Sequence, residues 1–74
     1  MVQIDRKATG NNIRQIMENK GVTVPNVARK LAVTPDYVYK FWYGRIPSVS
    51  VLINLSNILE VPMDDIIITR GILS

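Results

Sequence analysis

Apolar residues recur at helical spacing through most of this chain, and turn-forming residues interrupt them. Ile13, Ile16 and Met17, spaced i, i+3, i+4, predict a first helix from about Thr9 or Gly10 to Lys20, ended by Gly21. Val27, Ala28 and Leu31 predict a second, from about Val24 to Ala32, with Thr23 as N-cap and Pro25 tolerated in its first turn. Val38, Phe41 and Trp42 form the inward stripe of a third, from Pro35 to about Tyr43. Thr34 is suited to cap it, Pro35 to the first helical position, and Gly44 to the left-handed end. A fourth helix is predicted from Val49 to about Leu59, with Ser48 as N-cap and Leu52, Leu55 and Leu59 as its core stripe. Val61-Pro62 breaks it, and a short fifth helix is predicted near Met63 to Ile68, where Asp64 and Asp65 suit the positive N-terminal dipole.

At 100° per residue, Asp36, Tyr39, Lys40 and Tyr43 share the outward face of the third helix, with Tyr37 on its flank. The first eight residues read as a loosely held arm, with Ile4 available to pack and Arg6 and Lys7 free to reach outward. Residues 69–74 read as a tail, and the whole of 1–74 as one domain.

The helix pair at 23–44 resembles the helix-turn-helix of the lambda-repressor/Cro-like family, also called the XRE family. Ala28 stands where that family needs a small residue for close helix approach, and Val27, Leu31, Val33 and Val38 stand at its apolar positions. The resemblance runs from about Ile13 to Ile67 and includes Pro47-Ser48, Leu52, Leu55-Ser56, Leu59, Val61 and Asp65-Ile66. It implies an all-α, five-helix DNA-binding domain whose third helix enters the major groove. Family members often place Gly where Ala32 stands, at positive φ, so Ala32 is expected to carry about 1 kcal/mol of strain there. Where many members pair a buried Arg with a Glu, this chain has Met17 and Trp42, which are expected to pack together without the desolvation cost of an ion pair. The family's paired Gln positions are Val24 and Pro35, so its target preference does not transfer.

Composition narrows the chemistry. The 74 residues contain neither cysteine nor histidine, so a thiolate nucleophile, a disulfide and the commonest metal ligand are missing. The glycines are isolated and form no phosphate-cradling loop, and Asp64-Asp65 suits a helix cap better than acid–base work. No enzyme activity, metal or cofactor is expected. Net charge is +3, unevenly spread: residues 1–45 hold eight of the nine Lys and Arg against three of six acids, a net of +5, and the remainder has a net of −2. The first half would face a polyanion. No stretch has signal-peptide or membrane-span character, so a cytoplasmic protein without membrane contact is expected.

Under the resemblance, base contacts are expected from Asp36, Tyr37, Tyr39 and Lys40. Lys40 can donate to guanine O6 and N7, and Asp36 can accept from a cytosine amino group. The plainer reading is a surface ion pair between them, one turn apart, with Tyr37 covering the core edge. Phosphate contacts are expected from Thr23, Val24, Thr34, Tyr43 and Arg45, with helix N-terminal amides contributing; Val24 is also placed to touch a thymine methyl. Arg6, Lys7, Arg14, Arg29 and Lys30 are weaker candidates, more naturally solvated charges. Val51, Ile58, Met63, Ile67, Ile72 and Leu73 are an apolar surplus, read either as more core or as the seam of a homodimer, the latter preferred, with Val51, Ile58, Met63 and Ile67 as its interface. The partners expected are double-stranded DNA and a second copy of the chain, with no small-molecule ligand. The function expected is sequence-specific transcriptional regulation, most simply repression; the rival is a protein-interaction or antitoxin-like module on the same fold.

Overall fold

The structure is a computed structural model and describes residues 2–45 and 48–71. The expected loop residues Ile46 and Pro47, and Ile72 and Leu73 of the apolar surplus, lie outside the described residues. Five helices and a two-stranded antiparallel ribbon are present among those described: β1 (Val2–Ile4), α1 (Arg6–Lys20), α2 (Val24–Leu31), α3 (Pro35–Trp42), α4 (Val49–Leu59), α5 (Met63–Ile66) and β2 (Thr69–Gly71). The fold is all-α in class, and the ribbon is a minor addition.

α1 starts earlier than its apolar stripe suggests. Asp5 is the N-cap, and its carboxylate accepts from the Ala8 amide at 3.0 Å. Thr9, placed at the start from sequence, is instead an interior residue with no exposure. At the other end Gly21 takes the left-handed conformation (φ 66°), and the Val22 amide donates back to the Met17 carbonyl at 2.9 Å. That pairing satisfies carbonyls the helix leaves open, and glycine adopts the conformation without a Cβ penalty.

α4 has the expected bounds, but Ser48 makes no side-chain cap bond; its hydroxyl lies 3.1 Å from that of Ser50. The helix ends on Glu60 in the left-handed region (φ 56°), with the Val61 amide donating to the Ser56 carbonyl. α5 is one turn, shorter than expected, with Asp64 and Asp65 in that turn.

The core is built where the stripes converge. Ile13 and Met17 of α1, Val27 and Ala28 of α2, Val38 and Phe41 of α3, Leu52, Leu55 and Leu59 of α4, and Ile66 of α5 are all buried in one cluster. Burying such side chains is worth about 1.5–3 kcal/mol each for the larger ones, the main stabilising term for a domain of this size. Val51, Ile58, Met63 and Ile67 pack half-buried against this cluster. The larger-core reading therefore accounts for much of their apolar surface.

The described parts of the arm and the tail, residues 2–8 and 69–71, are not loose. β1 pairs with β2 in the register Val2 with Gly71, Gln3 with Arg70 and Ile4 with Thr69. The correction has a clear physical cause in the first turn of α1. The Thr9 hydroxyl donates to the Ile68 carbonyl at 3.2 Å and accepts from the Ile68 amide at 2.9 Å, and the Asp5 amide donates to the same carbonyl at 2.8 Å. Asn12 adds bonds from its amide nitrogen to the carbonyls of Asp65 and Ile66. These bonds bring the segment after α5 against α1, where the two short strands can pair. Val2 and Ile4 remain exposed, so Ile4 is not drawn into the core.

Candidate nucleic-acid interface

α2 and α3 are each defined by residues close in sequence. The Thr23 hydroxyl accepts from the Asn26 amide at 3.4 Å, and the Thr34 hydroxyl from the Tyr37 amide at 3.3 Å. Proline sits in the first turn of both helices, where its missing N–H would have had no intrahelical partner. Between them Ala32 adopts φ 58°, ψ 43°, the left-handed turn anticipated for it. The Val33 amide donates to the Ala28 carbonyl at 2.9 Å and closes the turn.

The two faces of α3 differ sharply. Val38 and Phe41 are buried to within 1%. Asp36, Tyr37, Tyr39 and Lys40 are all exposed, and Tyr43, the C-cap, is 80% exposed. The four residues expected to reach bases thus lie together on open surface. Among the described residues the ion pair present is Arg14 with Glu18, at 3.0 Å. Asp36 and Lys40 do not pair with each other, so neither side chain is occupied by the simpler arrangement.

Tyr37 and Tyr39 are held rather than free. Tyr37 meets Phe41 edge-on with ring centroids 5.2 Å apart, and Tyr39 meets Trp42 at 5.0 Å and 88°. Tyr37 therefore both covers the edge of the core and presents its outer part to solvent.

Around α3, Thr23, Thr34 and Arg45 are exposed, and the Arg45 amide donates to the Lys40 carbonyl at 3.0 Å. Gly44 before it has φ 96°, and a Cβ there would lie 3.3 Å from the Lys7 Cα. Glycine thus lets the chain turn off α3 close against the start of α1, which brings exposed Arg6 and Lys7 to the same end of the helix. Arg29 and Lys30 are exposed on the last turn of α2, where cations suit the negative dipole end. Val24 departs from its expected role. Its side chain is 4% exposed and belongs to the core, so it has no thymine methyl or sugar to touch; its backbone amide, in the first turn of α2, is what remains available.

Sequence reasoning missed one cluster here. The Arg14 guanidinium carbon lies 5.2 Å from the centroid of the Trp42 ring. Trp42 is half-buried and packed against the core cluster that contains Met17. The place of a helix 1–helix 3 polar link is thus taken by a cation over an indole, which no spacing within one helix could reveal.

Among the described residues no helix is long and apolar enough to cross a membrane, and no group of three or more His, Cys, Asp or Glu could hold a metal ion.

Comparison with known proteins agrees with this geometry. No curated protein matches the chain. The crystal structure of the restriction-modification controller protein C.AhdI from Aeromonas hydrophila is similar in fold, with a TM-score of 0.77 and 21% identity over 84% of this chain and 96% of that one. The clp gene regulator ClgR from Corynebacterium glutamicum is similar at a TM-score of 0.74 and 29% identity, over 82% of this chain and 80% of that one. The family model for the Cro/C1-type HTH DNA-binding domain matches residues 12–70. The chain belongs to the family of Cro/C1-type helix-turn-helix DNA-binding domains.

Proposed function

We propose that this chain is a sequence-specific transcriptional regulator, acting as a repressor by occupying double-stranded DNA, with α3 in the major groove. The observation that carries the reading is the open row of Asp36, Tyr37, Tyr39 and Lys40 on a helix whose other side is buried. Lys40 donates to guanine O6 and N7, Asp36 accepts from a cytosine amino group, and the tyrosines pack on or bond to neighbouring bases. Tyr43, Arg45, Thr23, Thr34 and the Val24 amide engage phosphates and set the register, since such contacts position a protein without reading sequence. The similarity to a gene regulator at 29% identity supports a regulatory role. The protein acts in the cytoplasm as a homodimer, with the exposed parts of Val51, Ile58, Met63 and Ile67 at the seam. A twofold pair sets the two reading helices about 34 Å apart, one turn of DNA.

Selection of bound duplexes from a random pool, followed by salt titration on the selected sequence, tests this reading. A specific binder yields a consensus and an affinity that falls steeply with salt as counterions are released. Lys40→Ala is expected to cost about 1–3 kcal/mol of binding and to relax the preference at one position, whereas Arg45→Ala weakens all sequences alike and lowers the salt slope by about 1. An interaction module on the same fold gives no consensus and no such slope. Sedimentation equilibrium that finds single chains of free protein, even where the selected duplex carries paired half-sites, would remove the preformed dimer.

A further inference from the structure

Trp42 stands at the end of α3, half-buried, and its indole Nε1 is enclosed without a hydrogen-bond partner among the described residues. A buried donor without an acceptor is costly, and a phenyl ring would fill apolar space without that cost. Something other than filling space accounts for the indole. Two contacts supply it. Arg14 lies 5.2 Å from the ring centroid, within cation–π range, and tryptophan is the best ring for that interaction. Tyr39, three residues earlier on α3, stands perpendicular to the same ring with centroids 5.0 Å apart. Glu18 holds Arg14 in turn, accepting from its Nε at 3.0 Å. The row Glu18, Arg14, Trp42, Tyr39 runs from the outer side of α1 to the reading face of α3.

We propose that Trp42, steadied by Arg14, is a positioning residue that fixes the direction of the Tyr39 ring before DNA arrives. The inference rests on Tyr39 lying in the reading face, as set out under the proposed function. Tyr39 is 40% exposed, so without a neighbour its ring would sample several rotamers and lose that freedom on binding. A ring already set against a held indole loses less, and the saving appears as affinity for the sequence whose bases fit that one direction. Tyr37 gains the same service from Phe41, which is in the core and needs no cation. Trp42 sits nearer the surface, and Arg14 supplies the restraint that burial does not.

The test uses the duplex selected by the unmodified protein and a scrambled duplex of the same length. Arg14→Ala and Trp42→Phe are each expected to lower the specific-to-scrambled ratio by about 3- to 10-fold, the range for freeing one ordered side chain. Arg14→Lys restores most of the ratio. In a Tyr39→Ala background Arg14→Ala has no further effect on the ratio, because the group it acts through is gone. Emission from the single tryptophan of the free protein also shifts in Arg14→Ala and in Tyr39→Ala. The Arg14 side chain is 53% exposed, so these variants keep the fold even if Trp42→Phe does not. An equal loss from Arg14→Ala with and without Tyr39 overturns the proposal, since Arg14 would then act on DNA directly or only on the fold. An unchanged ratio in Arg14→Ala, with Tyr39→Ala still harmful, also overturns it and leaves the reading face standing. A harmless Tyr39→Ala sinks the reading-face assignment itself.

Discussion

The helix-turn-helix and the seam where the chain's ends meet are held together in different ways. In the helix pair each boundary depends on residues three to five positions apart: Thr23 with Asn26, Thr34 with Tyr37, and Ala28 with Val33 across the turn. At the seam the bonds join residues 53 to 59 positions apart: Asn12 with Asp65 and Ile66, and Thr9 with Ile68. Local contacts close small loops at little entropic cost, whereas long-range ones form only once the rest of the chain has folded. The seam is thus expected to open first under stress, and the reading pair, with Val27, Val38 and Phe41 in the core, to open last.

The largest expected effect comes at the joint between these regions. α1 crosses α3 at Gly10, where a Cβ would strike the carbonyl oxygen of Phe41 and lie 2.9 Å from both the Gly44 nitrogen and the Trp42 oxygen. In an unhindered helix alanine would be favoured over glycine by about 1 kcal/mol. Here the clashing atoms are backbone and cannot step aside, so sterics should win, and Gly10→Ala is expected to lose about 3 kcal/mol or unfold the domain. Urea denaturation measures this. An unchanged midpoint would show that the two helices stand further apart at that crossing, and that the seam and the reading pair are less firmly joined.

Thr9→Val probes the seam alone. Valine keeps the shape but removes the hydroxyl that both donates to and accepts from Ile68. The Ile68 carbonyl retains the Asp5 amide, but its own amide is left unpartnered. The expected loss is about 1 kcal/mol, at the low end for an unsatisfied donor because the Ile68 amide is only part-buried. Amide exchange should rise most at Ile68 and Asp5, and DNA affinity per folded molecule should stay the same. Equal loss of protection through α2 and α3, beyond the global change, would erase the distinction between the two regions.

The same distinction explains what could be read from the sequence. Thr34, Pro35 and the stripe of Val38 and Phe41 announce α3 because signal and consequence lie within one turn of each other. The outward placement of Asp36, Tyr39 and Lys40 follows from the same periodicity. Asp5 was legible in principle as an N-cap ahead of Ala8, yet the apolar stripe begins only at Ile13 and drew the expected start too late. The ribbon left no comparable signal. Its strands are three residues each and exposed throughout, and its pairing is set by Thr9, Asn12 and Ile68 across most of the chain. The thymine methyl expected beside Val24 is out of reach of its side chain, because the packing of α2 turns that side chain into the core, which its place near a helix N-terminus does not reveal. The contact of Arg14 with Trp42 joins two helices and is beyond any spacing rule.

The smallest expected effect lies inside the helix pair, at the turn. Ala32 is exposed and left-handed, at φ 58°, so its methyl group packs little and its backbone carries strain. Ala32→Gly relieves about 1 kcal/mol of that strain. It also frees the unfolded chain, which opposes the gain by about 0.4–1 kcal/mol. The relief should win narrowly, because alanine at positive φ costs more than the entropy it saves. A rise of a few degrees in Tm, about 2–4 °C for about 0.5 kcal/mol, is expected in calorimetry. Affinity for the selected duplex should not change, since Thr34 still caps α3 and the reading row keeps its direction. The gain should also survive in a Thr9→Val background, because the turn and the seam share no partner and effects at such sites add. A fall in Tm would mean that the turn does not hold its left-handed geometry, and a gain lost when Thr9 is changed would mean that the local half of the molecule leans on the distant one.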